Sequence, residues 1–502
     1  MTNRNVAALA FCAGMSALLG CGANDTMQEQ AGHQEGQAGE RPASAAPAAR
    51  DVHSFSRPDQ VRVTHMELDL SVLFDRKAIE GTAVLSLDRA AGAQGEPLRL
   101  DSRDLTILKV EATQTAGGGA EAFWAETPFT MGQKDAILGS ALTVTLPPGT
   151  RAVRLAYRTS PEATGLQWLE PAQTAGGKHP FLYTQSQAIH ARSWVPCQDT
   201  PGSRITFNAR VKVPAPMRAV MAARQAGSEA DVYSFAMPHP IPAYLLAMAA
   251  GDLDFRETGP RTGVWAEPPL LEKAAWEFAD MEKMLESTER LYGPYRWDRY
   301  EVLVLPPSFP WGGMENPMVT FATPTILAGD RSLVSLVAHE LAHSWSGNLV
   351  TNATWSDFWL NEGFTTYIER RIMEEVYGPG RAAMEWSRGR QDLVQELAEL
   401  ADKPGDQRLR IDLVGRDPDD GATDIPYEKG AHLLRLLEET YGRAMFDPFI
   451  RSWFDEHAFT SVTTDTFLSF IGERLQSKHE PASGRARPDM AAWIDAPGLP
   501  DS

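Results

Sequence analysis

The chain has 502 residues, of which 43% are hydrophobic and 23% charged, and this composition excludes an intrinsically disordered or fibrous protein. Aspartate and glutamate total 66 against 47 lysines and arginines, and the net charge of −19 argues against a nucleic-acid partner, which would need a basic face. Three cysteines exclude a disulfide framework, and Cys197, the only cysteine after residue 21, is interpreted as a small core residue.

The N-terminus is typical of a bacterial export signal. Val6 to Leu19 is an apolar run about 14 residues long, shorter than the roughly 20 residues that a membrane span needs. It ends in Leu-Leu-Gly before Cys21, which resembles a lipobox, where cleavage precedes a cysteine that then carries lipids. The alternative is a plain signal peptide with a cysteine there by chance. We predict a signal peptide over residues 1–20 and a lipidated Cys21.

The segment that follows Cys21 is predicted to be a flexible tether through residue 54. Residues 22–53 contain almost no aromatic or branched apolar side chains and so cannot bury enough surface to fold. Gly22 rather than aspartate follows the cysteine, which by analogy with lipoprotein sorting favours the outer membrane. We therefore expect a protein of the bacterial cell envelope that is held at the membrane by its lipid.

Residues 55–258 show the period of two that is typical of β-strands. Apolar residues alternate with polar ones from Met66 to Phe74, and further runs are separated by Gly, Pro and Asp. These runs are Leu98 to Val110, Ala141 to Leu155 and Ile205 to Val213. We predict an antiparallel β domain.

Residues 259–494 show a helical period instead. Leu270 to Leu291 has apolar residues at steps of three and four and ends at Tyr-Gly-Pro, a helix stop. A short strand is predicted from Glu301 to Leu305, and the chain is mostly helical from there until a tail at 495–502. The predicted fold is a multidomain α+β protein, with an N-terminal β domain followed by a mostly helical domain.

The helical part contains an H-E-x-x-H pattern. His339 and His343 stand four residues apart among apolar residues at helical spacing, so both imidazoles share one helix face and can reach one ion. Glu340 projects beside them, where a carboxylate can take the proton of an attacking water. The alternative is a chance match, which composition alone does not exclude.

A further carboxylate strengthens the metal hypothesis. Asn361 begins an Asn-Glu-Gly triplet eighteen residues after His343, at the head of another helical stretch that runs to about Tyr377. Two histidines and Glu362 would leave the fourth position of a tetrahedral zinc open, which is the catalytic arrangement. Glu369 lies on the same face and is either a hydrogen-bond partner of a ligand or a solvated carboxylate.

Two other segments carry no decisive signal alone. Trp-Gly-Gly-Met-Glu-Asn spans residues 311–316, and its glycines allow a backbone to approach a ligand closely. Glu315 by itself would be an ordinary turn acid. Tyr427, in Pro-Tyr-Glu-Lys-Gly, would by itself be a packing tyrosine.

Together these segments resemble the gluzincin zinc aminopeptidases, a family that includes alanyl aminopeptidases. The resemblance is closest to the subfamily of leukotriene A-4 hydrolase and aminopeptidase B, and it covers about residue 55 to the C-terminus. The matching segments are Gln185 to His190, Pro196 to Pro201, Ser308 to Asn316, His339 to Glu362 and Ile425 to Gly430. The resemblance implies a saddle-like β domain followed by a thermolysin-like catalytic domain.

The resemblance also implies roles at the reacting bond. It implies one Zn²⁺ per chain, held by His339, His343 and Glu362. It implies Glu340 as the general base and Tyr427 as the residue that stabilises the oxyanion.

Further roles concern the substrate. Glu315 would hold the free α-ammonium of a peptide, with help from Gln187 of the β domain. Asp419 would lie near the pocket for the first side chain. The remaining residues expected to bind substrate are Gly312, Gly313 and Met314.

Two departures from the subfamily pattern affect what is expected. Ala422 occupies a position where a second tyrosine is common, which weakens an expectation of leukotriene-type epoxide chemistry. The chain ends where a helical C-terminal domain would begin, so we expect no basic residues of that domain for the peptide carboxylate.

The sequence thus predicts a zinc aminopeptidase that acts on peptides with a free N-terminus. One alternative is an epoxide hydrolase with residual peptidase activity. The other is a non-catalytic envelope binding protein, against which the intact set of ligands, base, Glu315 and Tyr427 counts.

Overall fold

A computed structural model describes residues 50–119 and 122–500 of the chain. The predicted signal peptide, Cys21 and the predicted tether up to residue 49 lie outside the described residues. The last part of the predicted tether is folded instead, because His53 and Ser54 are buried and contact Leu413 and Asp101. Within those ranges, no helix combines the length and the apolar character that crossing a membrane requires.

The first half of the described chain is built from strands, as the alternating pattern predicts. In chain order these are β1 (Val61–Leu73), β2 (Ala78–Arg89), β3 (Leu98–Ser102), β4 (Thr106–Thr113), β5 (Ala125–Glu126), β6 (Phe129–Met131), β7 (Ser140–Val144), β8 (Ala152–Arg158), β9 (Leu166–Leu169), β10 (Phe181–Thr184), β11 (Arg204–Lys212), β12 (Arg218–Met221), β13 (Arg224–Glu229), β14 (Val232–Pro242) and β15 (Met248–Gly251). Met66, Leu68, Leu70 and Val72 of β1 are buried, so one face of this strand lines the core.

Most of these strands form one large sheet in the order β13-β14-β11-β1-β2-β8-β4-β5. Its pairs are antiparallel except for β1 and β11, which run parallel with His65 opposite Thr206. The strands β12, β15, β10 and β9 form a smaller sheet, and β3, β7 and β6 form another. The four-stranded sheet that contains β10 matters for function, because β10 leads directly into Gln185 to Gln187.

Two of the predicted strand runs are each divided by a turn. The run from Leu98 to Val110 is broken between β3 and β4, where Asp104 adopts a left-handed backbone with φ 57°. The run from Ala141 to Leu155 is broken between β7 and β8 at Pro147-Pro148-Gly149, because proline cannot donate to a strand ladder.

The second half of the described chain is mostly helical, with a mixed sheet at its start. The strands are β16 (Asp254–Glu257), β17 (Thr262–Ala266), β18 (Tyr300–Val304), β19 (Gly313–Met314), β20 (Val319–Ala322), β21 (Val350–Asn352) and β22 (Thr460–Val462). The helices are α1 (Leu271–Glu277), α2 (Met281–Tyr292), α3 (Ser335–Ala342), α4 (Trp359–Tyr377), α5 (Pro379–Glu399), α6 (Gly430–Tyr441), α7 (Arg443–Glu456), α8 (Thr464–Ile471) and α9 (Met490–Asp495).

The mixed sheet has the order β16-β17-β18-β20-β19. The strands β17, β18 and β20 are parallel, and β19 is an antiparallel edge strand that contacts α3. The sequence predicts only the strand that became β18. The predicted domain boundary at residue 259 falls in the turn between β16 and β17, two strands of this sheet.

The helix predicted from Leu270 to Leu291 is divided into α1 and α2. The break leaves Asp280 just before α2, where its carboxylate accepts hydrogen bonds from Lys283, Arg331 and Tyr377. These contacts connect the break to Arg331, in the loop before α3, and to Tyr377, at the end of α4, and the periodicity of a single segment does not reveal them.

Candidate metal centre and active site

The two histidines of the H-E-x-x-H pattern face each other at the end of α3. His339 lies in the last turn of α3 and His343 caps it, so their side chains share one face. Their Nε2 atoms are 3.1 Å apart. The first turn of α4 brings Glu362 to the same place, with Oε2 at 3.4 Å from His339 Nε2 and 3.5 Å from His343 Nε2.

These three groups fit a single zinc ion. Zinc bonds of about 2.0–2.2 Å in a tetrahedron place neighbouring ligand atoms roughly 3.3 Å apart, close to the separations here. The Glu362 Oε2 atom is buried and has no hydrogen-bond partner among the residues that the structure describes. A second close group, formed by Glu315, Glu340 and His343, shares His343 and therefore belongs to the same centre.

The other ring nitrogen of each histidine is held by the protein. His339 Nδ1 lies 3.1 Å from Glu369 Oε2, and His343 Nδ1 lies 3.1 Å from both the Ser346 carbonyl oxygen and the Thr365 hydroxyl. Such contacts fix the tautomer and direct Nε2 towards a metal. Glu369 is therefore the hydrogen-bond partner of the predicted metal ligand His339, and not a solvated carboxylate.

Burial and charge shape the protonation of both imidazoles. Burial lowers the pKa of His343 to about 4, which keeps its ring in the neutral form that binds metals. Burial also acts to lower the pKa of His339, but the contacts with Glu362 and Glu369 outweigh it and raise this pKa well above its usual value.

Glu340 is buried beside the metal group, against the edge strand β19. A methyl group on Gly313 would overlap the Glu340 carboxylate, so glycine is required for β19 to pack this closely. Glu340 Oε2 makes no hydrogen bond to any described residue. Burial, with the nearby Glu315 and Glu362 carboxylates, raises the pKa of Glu340 well above its usual value.

Glu315 follows β19 and is also buried. Its Oε1 accepts hydrogen bonds from Gln187 Nε2 and Asn361 Nδ2, both at 3.4 Å, and Asn348 Nδ2 donates to its backbone oxygen at 2.8 Å. Burial and the Glu362 carboxylate raise the pKa of Glu315 to about 8. The side-chain donors are neutral amides, so the described part of the chain supplies no lysine or arginine to this carboxylate.

Tyr427 lies in a single π turn, Ile425–Lys429, that precedes α6. Its ring stacks on the His339 imidazole at 6.1 Å and meets Phe358 edge-on at 6.1 Å. Burial raises the pKa of its phenol well above the usual value, so the hydroxyl keeps its proton and can donate. Helix irregularities of this kind are common at functional sites.

These groups line one cavity of about 350 Å³. Its lining residues are Gln185, Gln187, Ala188, Trp311, Gly312, Gly313, Glu315, Ser335, Leu336, His339, Glu340, His343, Trp355, Phe358, Glu362, Glu369, Arg388, Pro418, Asp419, Ala422 and Tyr427. All of the sequence-predicted site residues line it except Met314, which is buried behind it with Sδ 3.2 Å from Gln185 Nε2.

Asp419 stands at the junction of the two halves of the chain. It accepts a hydrogen bond from the Ala188 amide at 3.4 Å, and its Oδ2 lies 3.4 Å from His190 Nε2. The β domain therefore contributes both Gln187 and the residues that hold Asp419.

The sequence analysis missed Asn361, Asn348 and Arg388. Asn361 had a usable signal, since it precedes Glu362 directly at the start of α4. Asn348 and Arg388 had none, because only tertiary packing brings the loop after α3 to the Glu315 backbone and the helix α5 to the cavity.

Comparison with known families and proteins gives matches over nearly the whole chain. Residues 62–245 match the Peptidase M1 N-terminal domain and residues 276–483 match the Peptidase family M1 domain. Leukotriene A-4 hydrolase of Xenopus laevis is 41% identical over 463 residues, which are 90% of this chain and 74% of the relative. Leucine aminopeptidase 2 of Yarrowia lipolytica is 39% identical over 462 residues, covering 90% of this chain and 70% of the relative.

Solved structures show the same fold. Yeast LTA4 hydrolase in complex with bestatin superposes with a TM-score of 0.82 at 37% identity, over 92% of this chain and 72% of that one. An M1 zinc metallopeptidase mutant of Deinococcus radiodurans bound to a Tyr-Ser-Ala substrate has a TM-score of 0.65 at 22% identity. That match covers 90% of this chain and 99% of the Deinococcus chain.

Proposed function

This chain belongs to peptidase family M1 and is a zinc aminopeptidase, and we propose the roles of three residues in removing the N-terminal residue from a peptide. Glu315 binds the α-ammonium, Glu340 is the general base and Tyr427 stabilises the oxyanion. The family, the α+β fold, the zinc dependence and the aminopeptidase activity that the sequence predicts are thereby confirmed. The observation that carries the proposed roles is the placement of Glu315, a buried glutamate that pairs with no lysine or arginine among the described residues, in the same cavity as the metal group.

The α-ammonium of the peptide binds to Glu315 and Gln187. An ammonium gains most from a fixed carboxylate in a site that excludes water, and Glu315 is held by Gln187 and Asn361. Anchoring the amine there places the first peptide bond at His339, His343 and Glu362. The enzyme therefore acts as an exopeptidase.

When bound, zinc supplies a Lewis acid that polarises the peptide carbonyl and lowers the pKa of water. Glu340 takes the proton of the attacking water at its carboxylate and gives it to the leaving amine nitrogen. Tyr427 donates from its hydroxyl to the carbonyl oxygen as negative charge develops there. Phe358 and Trp355 line the cavity and limit the access of bulk water.

The test of these roles is Glu340→Gln, which keeps the side-chain volume but cannot take a proton from water. We expect normal zinc content and a kcat lower by about 10²–10⁴ on aminoacyl aminocoumarins. Glu267→Gln is the matched control, because Glu267 is a buried glutamate that does not line the cavity and accepts hydrogen bonds from the Ala175 and Gly176 amides instead. Normal turnover by Glu340→Gln would remove Glu340 from the mechanism. A wild type that binds zinc but cleaves no aminoacyl substrate would support the binding-protein alternative.

Epoxide hydrolysis is not proposed. Ala422 lines the cavity with a methyl group where the subfamily pattern often has a second phenol. No feature of the cavity favours epoxide chemistry over peptide hydrolysis.

The location at the bacterial envelope is a separate proposal. The Leu-Leu-Gly-Cys sequence at Cys21 and the polar segment at 22–53 support a lipid anchor, and Gly22 supports sorting to the outer membrane. In a host with lipoprotein processing, the intact mass of the purified protein should correspond to a chain that begins at a lipidated Cys21. Cys21→Ser should release or misprocess the protein. An unmodified wild-type chain that begins elsewhere would reject the anchor.

A further inference from the structure

The cavity is strongly acidic apart from one guanidinium. Five carboxylates line it: Glu315, Glu340, Glu362, Glu369 and Asp419. Among the described residues that line the cavity, Arg388 is the only lysine or arginine. Its position therefore marks the one place in the cavity that favours a negative group of the substrate.

Arg388 lies beyond the metal group as seen from Glu315. Glu315 contacts Gln187 and Asn361, whereas Glu369 contacts His339 from the other direction. The carboxylate of Glu385, one turn before Arg388 on α5, lies close enough to Glu369 for the two charges to interact. In space, Glu315 is followed by the metal group, then by Glu369 and then by α5, which carries Arg388.

The packing of α5 also places Arg388 on the side of the metal group away from Glu315. Gly389 lies directly against Arg370 and Glu428, so closely that a methyl group there would overlap both side chains. Glu428 is the residue after Tyr427. Arg388, which precedes Gly389, is thus on the rim of the cavity next to the π turn, and not on the rim that binds the amine.

The guanidinium of Arg388 is available for a ligand. Its side chain is 80% exposed; Nε lies 3.5 Å from Asp392, and its charge also acts on the Asp424 carboxylate, which stands just before the π turn. Among the described residues, Asp392 is the only ion-pair partner of Arg388 within 4 Å. A guanidinium of this kind can bind a carboxylate with two parallel hydrogen bonds.

Resting on the proposed function, we propose that Arg388 binds the C-terminal carboxylate of short peptides and so selects substrates by length. A peptide held by its amine at Glu315 extends from the scissile bond towards Arg388. An extended chain advances about 3.3 Å per residue, so the carboxylate meets Arg388 only in peptides a few residues long. Helix α5 supplies the basic group at this end of the cavity.

The experiment compares peptides of two to six residues, each as the free acid and as the C-terminal amide. At one short length, wild type should cleave the acid about two- to fivefold more efficiently than the amide in kcat/KM, the range of an exposed arginine–carboxylate pair. The preference should vanish for the longest peptides and shrink at high salt. Arg388→Gln should bring the ratio of acid to amide to one, and Arg388→Lys should retain part of the preference.

Arg390→Gln is the matched control, because it removes the same charge from an exposed position of α5 about 200° around the helix. It should keep the wild-type ratio. An equal ratio of acid to amide in wild type and Arg388→Gln would overturn the proposal. The proposal would also be overturned if Arg388→Gln lowered kcat/KM only for amides that carry glutamate after the scissile bond, because Arg388 would then bind that side chain and not the C-terminal carboxylate. Failure to cleave any peptide or aminoacyl substrate would instead count against the proposed function.

Discussion

The close contact between α4 and the start of α6 should be essential for catalysis, and Gly430→Ala tests it. Gly430 has helical dihedrals, with φ −60° and ψ −50°, so alanine causes no backbone strain there. The added methyl carbon would lie only 2.8 Å from the Gly363 Cα. Ordinary carbon contacts are about 3.5–4.0 Å, so the two segments must separate by at least about 0.7 Å.

The expected cost in stability is small. Overpacking costs about 1–3 kcal/mol, and the higher helix propensity of alanine offsets about 1 kcal/mol, so the free energy of unfolding should fall by about 0–2 kcal/mol. The effect on turnover should be larger. Tyr427 precedes Gly430 by three residues and moves with it, and a 1 Å misplacement of a catalytic group can cost about 100-fold. We expect kcat to fall about 10- to 100-fold with zinc content unchanged.

The assay combines thermal unfolding, zinc content and kcat on an aminoacyl aminocoumarin. Gly380→Ala in α5 is the matched control, because no described atom beyond its neighbours lies within 4 Å of the added methyl group. It should leave kcat unchanged and stabilise the helix slightly. If Gly430→Ala behaves like this control, Tyr427 does not depend on the contact between Gly363 and Gly430, and the reasoning is wrong.

Three further substitutions test other parts of the site and fold. Glu315→Gln should raise KM and lower kcat, with a loss of about 10- to 100-fold in kcat/KM for substrates with a free amine, and retention of activity would exclude Glu315 as the anchor. Glu369→Gln should weaken zinc binding about 10- to 100-fold in chelator competition, whereas Glu375→Gln on the exposed face of α4 should not. Arg192→Met should lower the free energy of unfolding by about 3–5 kcal/mol in urea, because it leaves the buried Asp199 carboxylate without its ion pair, and a loss below about 1 kcal/mol would contradict this.

The metal group was predictable because its geometry is local. Helix periodicity alone places His339 and His343 on one face, and the helix signal at Glu362 supplies the third group. The positions of Gln187, Glu315 and Tyr427 could not be predicted from local patterns. They lie on three segments that are far apart in sequence, so their meeting could be inferred only from the resemblance to a family.

The fold shows the same division between local and distant information. Alternating apolar residues predict β1 and β11, but nothing in either strand predicts that the two pair in parallel across more than 130 residues. Arg388 was missed for a related reason, because its function depends on how α5 packs against Arg370 and Glu428. A charged residue on an exposed helix face carries no sequence signal that distinguishes it from a solvated one.

The charges of the cavity suggest how a peptide is oriented before any bond is broken. Glu315 is buried with neutral amide donors and its pKa is raised, so its charged form is favoured only when a cation lies beside it, and the α-ammonium is the cation that a peptide carries at its first residue. Arg388 offers the opposite charge on the far rim of an otherwise acidic cavity. A short peptide that enters in reverse would place its carboxylate against Glu315 and its ammonium against Arg388. The Glu315 carboxylate would then have no cation beside it and the Arg388 guanidinium no anion, so the same two residues that favour the productive orientation also disfavour the reverse one.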